Sequence, residues 1–105
     1  GQVMSKVVFK YPWSRNLGKP LTVMLPEGAQ VVEIATQNLP PEQGGKTLML
    51  WIEHEDPEDP LRQGGLYPVT FEVFGTGHKI PADMMYQGTV HAVPYVWHVY
   101  RHRDY

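Results

Sequence analysis

The sequence predicts an all-β chain, a small antiparallel sandwich or partly open barrel of about seven strands, and three features carry that expectation. Ten prolines and ten glycines cut the 105 residues into short apolar runs and leave little room for a long helix. Those runs are rich in Val, Ile, Leu and aromatic residues, which suit a pleated, half-buried surface. In Tyr67-Pro68-Val69-Thr70-Phe71-Glu72-Val73 the pattern alternates, placing Tyr67, Val69, Phe71 and Val73 on one face and Thr70 and Glu72 on the other.

Taken in order, strands are expected at 6–10, 21–25, 30–37, 47–54, 67–74, 85–92 and 95–101. Pro26-Glu27-Gly28 and Gly44-Gly45 mark turns, and Pro40-Pro41 and the acidic segment between Pro57 and Pro60 mark loops. The last run, Tyr95-Val96-Trp97-His98-Val99-Tyr100, is apolar on both faces. It is therefore either a central strand covered on both sides or a surface buried by a second copy, and a homo-oligomer through this strand is expected. One β domain spans 4–105. Met4-Ser5-Lys6 reads as a start, so Gly1, Gln2 and Val3 are set aside as an expression remnant or an upstream start.

Composition narrows the function classes. With 42% hydrophobic and 19% charged residues the chain is a globule, and its length suits a single core. The absence of cysteine excludes disulfides and thiolate metal sites and points to a reducing, cytoplasmic setting. No apolar run reaches the roughly 20 residues of a membrane span, so no membrane partner is expected. The net charge of −2 is uneven, because Glu53, Glu55, Asp56, Glu58 and Asp59 share one short stretch. Outside it nine basic residues face six acidic ones, enough to host an anionic ligand but too few for general nucleic-acid binding.

Several words of the sequence carry a resemblance: Phe9-Lys10-Tyr11-Pro12, Pro26-Glu27-Gly28-Ala29-Gln30, Trp51, Phe71-Glu72-Val73-Phe74-Gly75-Thr76-Gly77-His78-Lys79-Ile80-Pro81, Gly88-Thr89-Val90 and Val96-Trp97-His98-Val99-Tyr100. From about Lys6 to about Tyr100 the chain resembles a family of short, uncharacterised proteins of tailed bacteriophages and prophages, a domain of unknown function. It departs from that family in longer insertions at 14–19 and 40–46. The resemblance implies a phage origin and a cytoplasmic role in an infected bacterial cell, and it brings no assigned activity. Small phage proteins of this kind often disarm host defence, some by sequestering nucleotide-derived signals of the Thoeris or CBASS type and others by blocking a defence protein.

The residues themselves offer a few candidate sites. Gly75-Thr76-Gly77-His78-Lys79 follows a strand and suits an anion nest, with N–H groups aimed at a phosphate and Lys79 beside it, or a plain strand-ending turn. It lacks the spacing of a dinucleotide fold or a P-loop. No metal site is expected: His98 and His102 on an extended strand would stand roughly 13 Å apart, although His78, His91 and His98 could converge across strands. The stretch 53–59 lacks the central glycine of an EF-hand loop and reads as a solvated loop. Ser5 and Ser14, the two serines, sit in no activating word, so a nucleophilic triad is not expected. A metal-free phosphodiesterase using His78 with His91 or His98 is the remaining enzymatic alternative.

What remains is an aromatic and basic set: Lys10, Tyr11, Trp13 and Arg15, then His78 and Lys79, then Trp97, His98 and Arg101. Rings can stack on a base while cations and N–H groups hold phosphates. The expected function is a phage counter-defence protein that binds and sequesters a small anionic, nucleotide-like immune signal without turnover and without a cofactor. Tyr11, Trp13 and Trp97 would stack, Gly77 N–H, Lys79 and Arg101 would hold phosphate, and His78 and His98 would donate hydrogen bonds. The alternatives are an inhibitor that docks on a host defence enzyme through the acidic loop 53–59, and a minor virion or assembly component.

Overall fold

The computed structural model describes residues 3–13 and 17–103. Its strands are β1 (Lys6–Pro12), β2 (Leu21–Leu25), β3 (Gln30–Asn38), β4 (Lys46–Glu55), β5 (Tyr67–Gly75), β6 (Met85–Ala92) and β7 (Tyr95–Arg101), with one 3-10 turn at Pro41–Gln43. All seven expected strands form, and three of them, β2, β6 and β7, have the expected limits. Backbone pairing carries the others one or two residues further at one end or both.

The strands build two antiparallel sheets, one ordered β1-β4-β3 and the other β2-β5-β7-β6. Period-two alternation aims Leu48, Leu50 and Ile52 of β4 at Val69 and Phe71 of β5 and Val99 of β7, and these side chains form one buried cluster with Trp13, Leu25, Ala29 and Val90. Leu25, Leu50, Phe71 and Val99 expose nothing to solvent. The burial of such rows is the main force joining two sheets that share no ladder hydrogen bonds.

The sandwich is closed on one side only. There β3 lies against β6, and the approach is so tight that a Cβ on Gly88 would stand 2.9 Å from Ile34 Cδ1. Each of these two edges carries a register shift, between Val31 and Glu33 on β3 and between Tyr86 and Gly88 on β6. A bulge twists an edge out of line for a new ladder, so the two strands meet through side chains instead of closing a barrel. On the other side β1 and β2 are edges. Phe9 has the inward parity of β1 yet is 46% exposed, because the sheet opposite it ends at β2.

The strand β7 is central, hydrogen-bonded to β5 on one side and β6 on the other. It is thus central in its sheet, but of its two faces only the inner one is covered by a second layer. Its inner face carries Val99 and Trp97 into the core, and its outer face carries Val96, His98 and Tyr100. Neither of its backbone edges is free, so a second copy would meet β7 only through that outer face. Among the described residues, no helix is long and apolar enough to cross a membrane.

Leu50→Ala should cost about 3 kcal/mol in a urea unfolding curve, within the ~2–5 range for large-to-small core changes. Val8→Ala, on the outer face of β1, should change stability by less than about 0.5 kcal/mol.

Candidate functional site

The recognisable words of the sequence meet at one end of the second sheet. Gly75 to His78 form a β-turn closed by His78 N–H donating to the Gly75 carbonyl at 3.1 Å, with Gly77 at φ +88° in the position that requires a left-handed backbone. The His78 ring folds back over Gly75, whose amide donates to His78 Nδ1 at 3.2 Å. A Cβ on Gly75 would lie 3.0 Å from that ring, so glycine here makes room for the imidazole. Two of the N–H groups that an anion nest would present are thus engaged within the turn itself, which has the form of a strand-ending turn capped by its own histidine.

His98 binds the same turn from the other face. Its Nε2 pairs with Thr76 Oγ1 and its Nδ1 with Thr89 Oγ1, each at 3.0 Å, and Thr89 is bonded in turn to the Tyr86 hydroxyl. Since Gly75 pairs with Trp97, and Trp97 points inward, the ring seated over Gly75 lies on the inner side of the sheet. His98 is one residue on and faces outward. His78 and His98 therefore stand on opposite faces and do not converge on one phosphate. Among the described residues, no three His, Asp or Glu side chains gather in a metal-holding group.

The other expected site residues are dispersed. Trp13 is 2% exposed and belongs to the core, its Nε1–H donating to the Lys19 carbonyl at 3.3 Å, so neither ring face is open to a ligand. Tyr11 lies on the inner side of the first sheet and its hydroxyl meets His54 Nε2 at 2.8 Å. His54, 3% exposed, places Nδ1 at 2.8 Å from the Glu55 carbonyl, which can only accept. Nδ1 is hence the protonated nitrogen, and Nε2 accepts from the Tyr11 O–H. Burial pushes the Tyr11 phenol above its ordinary value, which keeps that proton in place. Trp97 stacks with Tyr95 at 5.2 Å and pairs across the ladder with Gly75 of the β5–β6 turn, while Lys79 is exposed in the loop that follows. Arg101 lies about 13 Å along β7 from Trp97 at ~3.3 Å per residue. Lys10 is bonded to Gln37 on an outer face, and Arg15 lies outside the described residues. The expected hollow is not assembled from this set, because alternation sends its members to different faces and ends.

The acidic stretch is a built turn. Asp56 Oδ1 accepts from Glu58 N–H, Asp59 Oδ1 from Leu61 N–H, and Asp59 Oδ2 from Ser5 N–H at 2.8 Å. Glu53 pairs with Lys6 and Glu55 with Arg62. The Ser5 and Leu61 amides hold the Asp59 carboxyl below the usual carboxylate range. Four of the five carboxylates are engaged in the fold by bonds that lie largely at the surface, so the stretch is an ordered acidic turn and not a loose loop.

A cleft does form at the opposite end from the β5–β6 turn. It measures about 510 Å³ and is lined by Pro26, Glu27 and Gly28 of the β2–β3 turn, Tyr67, Pro68 and Val69 of β5, and Arg101 and Arg103 after β7. Arg101 is held by Nη1–H donating to the Ala29 carbonyl at 2.8 Å. Tyr67 shares the inward parity of Val69 but, at the end of its strand, stays 51% exposed. Sequence reasoning assigned Tyr67 to the core face and left out Arg103. The signal available was the spacing of Arg101 and Arg103, two apart and thus on one side of an extended chain.

Over residues 4–105 the chain matches the family model DUF7352, a domain of unknown function, and it belongs to that family. No curated protein and no solved structure matches it.

Two outcomes test these local assignments. Gly77→Ala should lower stability by about 1 kcal/mol or more in chemical denaturation, because a Cβ is disfavoured at its positive φ. A depressed carboxylate contributes stability above about pH 4 that is lost as pH falls through its folded value. Asp59→Asn should therefore melt below the parent at pH 7, and the gap in Tm should close on acidification toward pH 2.

Proposed function

We propose that this DUF7352 protein is a non-catalytic binding protein that holds a small phosphorylated, nucleotide-like ligand in the cleft between the β2–β3 turn, the start of β5 and the end of β7. The observation that carries this reading is the joint presence of Arg101, Arg103 and the half-exposed Tyr67 around about 510 Å³. That volume falls within the ~300–1,000 Å³ of small-molecule sites. Guanidinium groups offer paired N–H donors to phosphate oxygens, and a half-bared tyrosine ring offers a stacking face to a heterocycle. Glu27, on the rim, suits a ribose hydroxyl or an exocyclic amine.

Binding without turnover is supported by the make-up of the wall. Among the described residues the wall includes no serine, threonine, histidine or lysine, and Glu27 is the one acid, so no nucleophile and base stand together among them. Set in the cytoplasm of an infected cell, as the resemblance to phage proteins implies, such a pocket would sequester a nucleotide-derived immune signal. A second copy, if one associates, would use an outer sheet face or a free β1 or β2 edge. The rival reading, an inhibitor docking through 53–59, keeps a charged surface to dock with, since those carboxylates are bonded largely at the surface. The cleft is preferred because it joins cations, a ring and a ligand-sized volume.

Isothermal calorimetry with cyclic ADP-ribose isomers and cyclic dinucleotides tests the proposal. At least one should bind, and Arg103→Ala and Tyr67→Ala should each weaken it by about tenfold, the scale of one charge-assisted bond or one stacked ring. Absence of heat with every compound would remove the proposal.

A further inference from the structure

The Arg101 side chain borders a second cleft. This one measures about 500 Å³ and is lined by Gly28, Ala29, Gln30 and Val31 at the start of β3, Met85, Tyr86 and Gln87 at the start of β6, and Arg101. Gly28 and Arg101 are shared with the first cleft. The two hollows are thus neighbouring lobes, of nearly equal size, on either side of one fixed cation. The first lobe offers Tyr67 and the prolines as apolar walls with Arg103 and Glu27 at its mouth. The second is bordered by Gln30, Gln87 and Met85, with the Gln87 amide fixed on the Met85 and Tyr86 carbonyls, and among the described residues no carboxylate lines it.

We infer that the ligand spans both lobes, as two heterocycles joined by phosphate, with the linking phosphate at Arg101. The inference rests on the proposed function of the first cleft and narrows its ligand class from nucleotides in general to dinucleotides. Three physical points support it. A single base and sugar fill one lobe, and the second would then stay wetted beside an already desolvated cation. Arg101, tied to the Ala29 carbonyl, is oriented before any ligand arrives, so a phosphate placed there binds with little side-chain ordering. The Gln87 amide donates to the Met85 and Tyr86 carbonyls, which leaves its oxygen as an acceptor suited to the exocyclic amine of a heterocyclic base and not to a bare phosphate.

The test is competition between ligands that differ in ring number at similar charge, measured by calorimetry on the full chain with AMP, ATP, the linear dinucleotide pApA and cyclic di-AMP. At least one of the dinucleotides should bind about tenfold or more tighter than either AMP or ATP, the contribution of a second seated ring. Gln87→Ala, which removes the amide oxygen of the second lobe, should weaken that dinucleotide by about tenfold and AMP by much less. Met85→Ala, which removes its apolar wall, should act in the same direction. If ATP matches the dinucleotides, or if neither variant weakens them more than it weakens AMP, the second lobe is not part of the site and the inference falls while the single-cleft reading stands. If none of the four ligands binds and the panel of cyclic ADP-ribose isomers also fails, the underlying reading falls with it.

Discussion

The interlocking of one row of side chains from β4 with the inner faces of β5 and β7 is the constraint on which the rest of the molecule depends. Leu48, Leu50 and Ile52 pack with Val69, Phe71 and Val99, and the two sheets are joined by that burial and not by a shared ladder. Once it is fixed, period-two geometry decides where every other side chain goes. Trp97 and Arg101 must point inward because Val99 does, and His98 and Tyr100 must point out. At the ends of the sandwich an inward residue no longer meets an opposing layer. Tyr67 and Arg101 are therefore partly bare at one end, and Tyr95 stacks on Trp97 at the other.

The fold was legible in the sequence because its signals are local. Prolines and glycines bound each strand, and β-branched and aromatic residues fill them, so strand existence needed no knowledge of partners. The site was legible only in part, because it depends on partners. Arg101 lines the cleft, but its companions come from segments dozens of residues away, and no local pattern joins Gly28 and Tyr67 to Arg103. Trp13 was open to either reading, since a tryptophan at a strand end looks the same in sequence whether it is exposed or covered. Here the core covers it and Lys19 takes its N–H. His54 shows the converse. It sat in an acidic run that reads as wet, yet the inward parity of β4 buries it and Tyr11 satisfies it.

The glycine-rich word and the histidines have a structural account that does not need a ligand. His78 caps the turn from the inner side through the Gly75 amide, and His98 holds it from the outer side through Thr76 while reaching β6 through Thr89. The segments 75–78, 88–89 and 97–98 thus act as one clamp that fixes how β5, β6 and β7 leave their shared end. Distant words of a sequence can travel together because they hold one another, and in this chain the cleft with the two arginines lies at the far end from them.

The facing bulges of β3 and β6 have a mechanical consequence. Along that seam the layers touch through Ile34 and the bare backbone of Gly88, with no rungs linking one edge to the other. Sliding or splaying there breaks side-chain contacts only, which yield far more gently than a ladder does. The hollow bounded by Gln30 and Val31 on one lip and Met85 to Gln87 on the other straddles this seam, so its width is coupled to the relative tilt of the layers. The molecule thereby combines a stiff interior with a compliant mouth, and a guest drawing the two lips together would tighten the seam without disturbing a single strand pairing.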